Sequence, residues 1–234
     1  MTVLFRWPEA AAVGRLIPKE RLYAEAGVTK ALRQRFIDEI QRVRWAYKLS
    51  EESLRLRGRD DVGEVQVFEI ELKDVDVSES VLMSIDKSVP SPIIFELHRG
   101  SVPRAEVQLA AARKESGPRG PKLSGYFKGD WVPADANRSA LPPSVDLAGL
   151  YAQILTALMP MQVWPGEDLS GAIDRMARIR KLERDIAALE SELRTEPQFN
   201  RKVGLRRELR TRQAELDTLT NENEPTTKDA AWRS

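Results

Sequence analysis

Residues 64–73 read EVQVFEIELK, with Phe68, Ile70 and Leu72 on one side of a period-two pattern and Val65, Val67, Glu69, Glu71 and Lys73 on the other. That alternation predicts a half-buried β-strand. Just after it, Ser78 is placed to cap a helix whose Val81, Leu82, Ile85 and Val89 share one face, and Pro90-Ser91-Pro92 stops it. Residues 93–98 then supply another apolar strand, ending at His98. A strand, helix and strand of these lengths predict a parallel pair with a right-handed crossover, and so an α/β (α+β) fold.

Working outward, Pro18 suits the first position of a short helix carrying Leu22, Tyr23 and Ala26, with Gly27 just past its end. From 29 to 47, Leu32, Phe36, Ile40, Val43 and Tyr47 recur at spacings of four, four, three and four, which predicts one long amphipathic helix. The polar stretch 50–63 reads as a loop. Downstream, 105–112 and 125–131 are candidate strands, so the expected sheet is small, mixed and four-stranded. Residues 145–158, with Leu150, Tyr151, Ile154, Leu155 and Leu158 as an apolar stripe, predict a helix that Pro160 ends.

The C-terminal third follows a different period. Ile179, Leu182, Ile186, Leu189 and Leu193 alternate spacings of three and four, a coiled-coil seam. Pro197, Phe199 and Asn200 interrupt it, and Leu205, Leu209, Leu216 and Leu219 resume it on one face. The expected organisation is a globular domain at 1–160, a hinge at 161–170, an antiparallel helical hairpin at 171–220 and a polar, disordered tail at 221–234. Two helices bury only one stripe each, so Ile173, Met176, Ile179, Leu182, Ile186, Leu189, Leu193 and Phe199 are candidate partner-binding positions.

With 234 residues, 31% of them charged, the chain has room for one domain of ordinary size plus an extension. The absence of cysteine excludes disulfides, thiol nucleophiles and thiolate metal sites. No run approaches the roughly 20 apolar residues of a membrane span, and the first residues lack a secretory pattern, so a cytoplasmic protein without membrane contact is expected. The net charge of +1 gives no global attraction to nucleic acid. No Gly-rich phosphate loop is present, and no cofactor or metal is expected.

Several segments together resemble one known family, the bacterial domain-of-unknown-function family numbered 4391. They are Ile17-Pro18-Lys19-Glu20 with Tyr23, Trp45-Ala46-Tyr47-Lys48-Leu49-Ser50, and Gln66-Val67-Phe68-Glu69-Ile70-Glu71-Leu72-Lys73. Ile85-Asp86-Lys87-Ser88-Val89-Pro90 before Ile93-Ile94-Phe95, and Gln198-Phe199-Asn200-Arg201-Lys202-Val203, extend the likeness over most of the chain. None of these is a catalytic fingerprint. What the resemblance implies is genomic context, beside helicases and DNA methyltransferases in restriction-like, anti-phage loci, and context implies partnership rather than activity.

Chemistry is sparse. Glu69, Glu71 and Lys73 project from one strand face, as do the carboxylates and lysine of metal-dependent restriction-type nucleases. That pattern also needs an aspartate from a neighbouring strand, and Asp60 and Asp61 sit in the loop before this same strand. Alternating charge on the open face of a sheet gives the same letters. His98 is the only histidine, so it seeds no zinc site by itself. Arg113, Lys114, Arg119 and Lys122, followed by Tyr126, Phe127 and Trp131, form a basic loop with aromatics that suits nucleic acid, as do Arg201, Lys202, Arg206 and Arg207 on the hairpin.

The resulting expectation is a non-catalytic accessory or assembly subunit of a bacterial anti-phage complex, docking through its hairpin onto a helicase or DNA methyltransferase. The alternatives are a metal-dependent nuclease using Glu71 and Lys73, and a stand-alone nucleic-acid-binding protein.

Overall fold

The computed structural model describes residues 4–25, 28–59, 62–115, 117 and 120–221. The chain divides into two compact units, Met1–Pro160 and Met161–Ser234. The first opens with a 3-10 turn (Glu9–Ala11) and β1 (Ala12–Ile17), followed by α1 (Lys19–Glu25), α2 (Lys30–Glu39), β2 (Ile40–Leu49) and α3 (Glu51–Leu54). It continues with β3 (Val65–Leu72), α4 (Glu79–Ser88), β4 (Ile93–Arg99) and β5 (Glu106–Ala111). The short β6 (Lys114–Glu115), β7 (Lys122–Leu123), β8 (Phe127–Lys128) and β9 (Val132–Pro133) precede α5 (Leu147–Leu158).

Among the described residues the main sheet has seven strands, in the order β1-β2-β3-β4-β5-β8, with β9 also on β5. Among its described strand pairs only β3 and β4 are parallel; α4 is the crossover that this requires. The expected four strands are corrected to seven. Residues 12–17 form an additional edge strand, residues 40–49 another strand beside it, and the expected strand at 125–131 divides into β8 and β9, both of which return to β5.

A second correction concerns residues 40–47, expected as helix and found as strand. Register shifts between Ile40 and Arg42 and between Trp45 and Tyr47 interrupt the two-residue alternation of β2. Buried residues therefore fall at every third position, Ile40, Val43, Ala46 and Leu49, which imitates a helical repeat. The helix itself is capped by Thr29, whose side chain accepts from the Leu32 amide, and it ends at Glu39, where the β-branched and aromatic residues begin. The proposed Gly27 cap, with Asp60 and Asp61, lies outside the described residues, and residues 51–54 of the expected loop form a short helix.

One face of the sheet packs Phe68, Ile70, Leu72, Ile93, Phe95 and Leu97 against Phe36 of α2 and Val81, Leu82 and Ile85 of α4. At about 1.5–3 kcal/mol for each large side chain buried, this layer is the main source of stability. The opposite face carries Val67, Ile94, Val107 and Leu109, with α5 lying over β5 and β8. A buried ion pair links α4 to β6: Lys114 Nζ lies 3.1 Å from Asp86 Oδ1, and the Tyr126 hydroxyl donates to Asp86 Oδ2 at 3.0 Å.

The second unit consists of α6 (Leu169–Thr195) and α7 (Phe199–Thr220). Asp168 caps α6 by accepting from the Gly171 amide at 2.7 Å. The ion pairs Arg178–Glu215 at 3.6 Å and Arg201–Glu192 at 3.3 Å match the start of one helix with the end of the other, so the hairpin is antiparallel, as the interruption at Pro197 between the two segments predicts. Residues beyond Asn221, the expected tail, lie outside those described.

Candidate functional site

The β3 alternation puts Glu69 and Glu71 on the face opposite α4. Across β2 their neighbours are Arg44 and Arg42; across β4 they are Glu96 and His98. Arg44 pairs with Glu69 at 3.5 Å and Arg42 with Glu71 at 3.3 Å. With His98 and the turn after β4, these four side chains line a cavity of about 270 Å³. Lys73 does not join them. It follows the strand, and its Nζ donates to the Ile37 carbonyl at 2.7 Å.

Glu96 is the buried member of this face, 2% exposed. It accepts from Trp7 Nε1 at 2.8 Å and from both terminal nitrogens of Arg138. His98 Nε2 approaches Glu96 Oε1 to 3.4 Å without the alignment of a full hydrogen bond. Burial pushes the Glu96 carboxyl up, but His98, Arg138 and Trp7 together outweigh it and bring it down to about 2. Burial, followed by the charges of Glu69 and Glu96, raises Tyr47 above the ordinary phenol range.

Chemically, the cleft presents two carboxylates already neutralised by arginines, beside a histidine. Among the described residues no group of three or more His, Cys, Asp or Glu is arranged to hold a metal ion. Glu69 and Glu71 therefore stand together as expected, but the lysine of the nuclease pattern is engaged elsewhere.

The basic loop is also dispersed. Arg113 pairs with Glu115 at 3.0 Å, Lys114 is buried on Asp86, and Lys122 is exposed on β7. The expectation that Lys114 contacts nucleic acid is corrected, because its ammonium is enclosed by the Asp86 carboxylate and the Val89 and Ser91 carbonyls. Arg119 lies outside the described residues. Tyr126 and Phe127 are buried in the core, and Trp131 carries the Arg99 guanidinium 4.0 Å above its ring.

On the hairpin, Met176, Ile179 and Leu182 are buried and Ile173, Ile186, Leu189 and Leu193 half-buried. Phe199 is 73% exposed and Val203 51%. No residue of α7 is buried among the described residues, so Leu205, Leu209, Leu216 and Leu219 are only half covered. The candidate docking surface thus narrows to the distal seam, from Ile186 to Leu193 on α6 and from Phe199 to Leu209 on α7. Beside it, Arg201 pairs with Glu192 and Glu196, whereas Lys202, Arg206 and Arg207 make no side-chain hydrogen bond or ion pair to a described residue.

Arg175 secures the other end. It is 5% exposed, reaches Glu167 at 2.8 and 2.7 Å, donates to the Gln162 carbonyl at 2.8 Å and lies 4.0 Å over the Trp164 ring. The Arg175 hydrogen bonds hold Glu167 below the usual carboxylate range. Sequence reading did not single out Glu96, Arg138 or Trp7, since no local spacing links residues 42 or 89 positions apart.

A family model described as Domain of unknown function (DUF4391) matches residues 5–216. No curated protein and no solved structure matches the chain.

Proposed function

Because this chain belongs to the family described as Domain of unknown function (DUF4391), we propose from its own geometry that it is a non-catalytic accessory subunit docking through the distal hairpin on a larger partner. One observation carries this reading: α7 is a 22-residue helix with no buried residue among those described. An isolated helix draws most of its stability from packing an apolar stripe, and a third or fourth helix laid along this seam would complete the burial. Each half-covered leucine that became fully covered would add about 1 kcal/mol.

The partner proposed is a helicase or DNA methyltransferase encoded beside it in an anti-phage locus, in the bacterial cytoplasm; the family resemblance supports that choice. No described helix is long and apolar enough to cross a membrane. The function is positional: the globular unit is held near the partner, and Lys202, Arg206 and Arg207 add salt-sensitive contacts to a nucleic-acid backbone. The test is purification of tagged protein from its native host with the neighbouring genes intact, followed by identification and mass determination of the complex. Recovery of a helicase or methyltransferase in fixed stoichiometry is expected; a clean monomer would overturn the reading.

A second reading, metal-dependent cleavage of nucleic acid, rests on the shared face of Glu69 and Glu71, and it has less support because among the described residues no three His, Cys, Asp or Glu are arranged to hold a metal ion. It requires magnesium- or manganese-dependent cleavage that disappears in Glu71→Ala. The engagement of Lys73 with Ile37 weighs against its role as the activating lysine.

A further inference from the structure

A larger cavity, of about 550 Å³, opens on the other face of the sheet, where Trp45 and Phe68 meet the start of α1 and the end of α4. Its size falls within the range of about 300–1,000 Å³ typical of small-molecule sites. The polar groups within it are largely satisfied by one another. Trp45 Nε1 donates to Gln66 Oε1 at 2.8 Å, Gln66 Nε2 to Glu64 Oε1 at 2.8 Å, and Lys48 Nζ meets Glu64 Oε2 at 2.7 Å. What remains is one amide hydrogen of Gln66 and the lone pairs of Ser88 and Ser91, whose hydroxyls donate to the Ile85 carbonyl and to Glu64 Oε1.

The rim is charged differently from the rest of this sheet. Arg42 and Arg44 are each neutralised by a glutamate. Arg15 and Arg21, which line the cavity and are exposed, make no side-chain hydrogen bond or ion pair to a described residue. Two guanidiniums with no counter-charge among the described residues, at the mouth of one pocket, favour an anion, and their planar forks suit phosphate. The indole of Trp45 and the ring of Phe68 favour a flat body inside. An alkyl chain would leave the Gln66 amide hydrogen unpaired, whereas a nucleobase edge satisfies it.

We propose that this cavity binds a nucleoside monophosphate, with the base against Trp45 and the phosphate between Arg15 and Arg21. Two sources share this chemistry, a free mononucleotide and the phosphorylated end of a single strand. The site is independent of the hairpin, so it stands whether or not the docking reading does.

The test is isothermal titration of the full chain with AMP, GMP, CMP and UMP singly, with a 5′-phosphorylated short DNA strand, and with inorganic phosphate and decanoate as controls. At least one nucleotide or the phosphorylated strand is expected to bind, and Arg15→Ala with Arg21→Ala should weaken it at least about tenfold. Both side chains are exposed, so the thermal midpoint should not move. Binding of the strand but not of free nucleotides supports the site and assigns it to a nucleic-acid end. No binding at millimolar concentration, equal affinity in the double variant, or uptake of decanoate instead overturns the proposal.

Discussion

Arg138 grips Glu96 from 42 residues away in sequence, and by doing so fastens two segments to the sheet. The Arg138 guanidinium also donates to the Phe5 carbonyl at 3.0 Å, while the Ser139 amide donates to the Leu4 carbonyl at 2.8 Å. Glu96 completes the junction by accepting from Trp7, so the N-terminal segment and the loop at 138 share one buried carboxylate. Removing Arg138 leaves that charge in place without its main partner. Arg138→Ala should cost about 3–5 kcal/mol, read from urea denaturation, and Glu96→Gln less, since the amide still accepts from Trp7.

The same carboxylate predicts an acid transition. Its folded pKa, about 2, lies below the ordinary 4.5, so its contribution is full above pH 4.5 and is lost as pH falls toward 2. That shift corresponds to about 3 kcal/mol. Melting curves of wild type and Glu96→Gln should differ most near pH 6 and converge toward pH 2; a constant gap would contradict the assignment.

Lys114 and Asp86 form a buried pair with side chains 4% and 1% exposed. Lys114→Met strands the Asp86 carboxylate, and Asp86→Leu strands the ammonium, so each alone should cost about 3–5 kcal/mol. The double variant should recover much of that loss. A double-mutant cycle by urea denaturation measures the coupling.

Arg175→Ala removes the bidentate bond to Glu167, the Gln162 contact and the stacking on Trp164 at once. Residues 161–168 should then be cut by protease at least about tenfold faster, while the globular unit resists as in wild type. Unchanged cleavage would show that the guanidinium does not secure this segment.

Patterns confined to one element were legible in sequence. The EVQVFEIELK alternation, the α4 crossover and the hairpin seam all appear where their periods predict them. The strand at 40–49 was not, because its bulges convert a two-residue repeat into a three-residue one. For the candidate site, the common face of Glu69 and Glu71 follows from spacing alone. The inward turn of Lys114, the engagement of Lys73 and the Glu96–Arg138–Trp7 junction depend on tertiary partners that no local pattern encodes.

The central claim is that the half-covered distal seam is a docking surface, and the most direct measurement is the mass of the complex purified from the native host with Phe199→Glu and Val203→Glu together. Both positions are exposed, so the chain should fold as wild type. The account predicts that the wild-type chain co-purifies with its partner and the double variant runs as free protein. A variant that retained the partner at wild-type stoichiometry would contradict it.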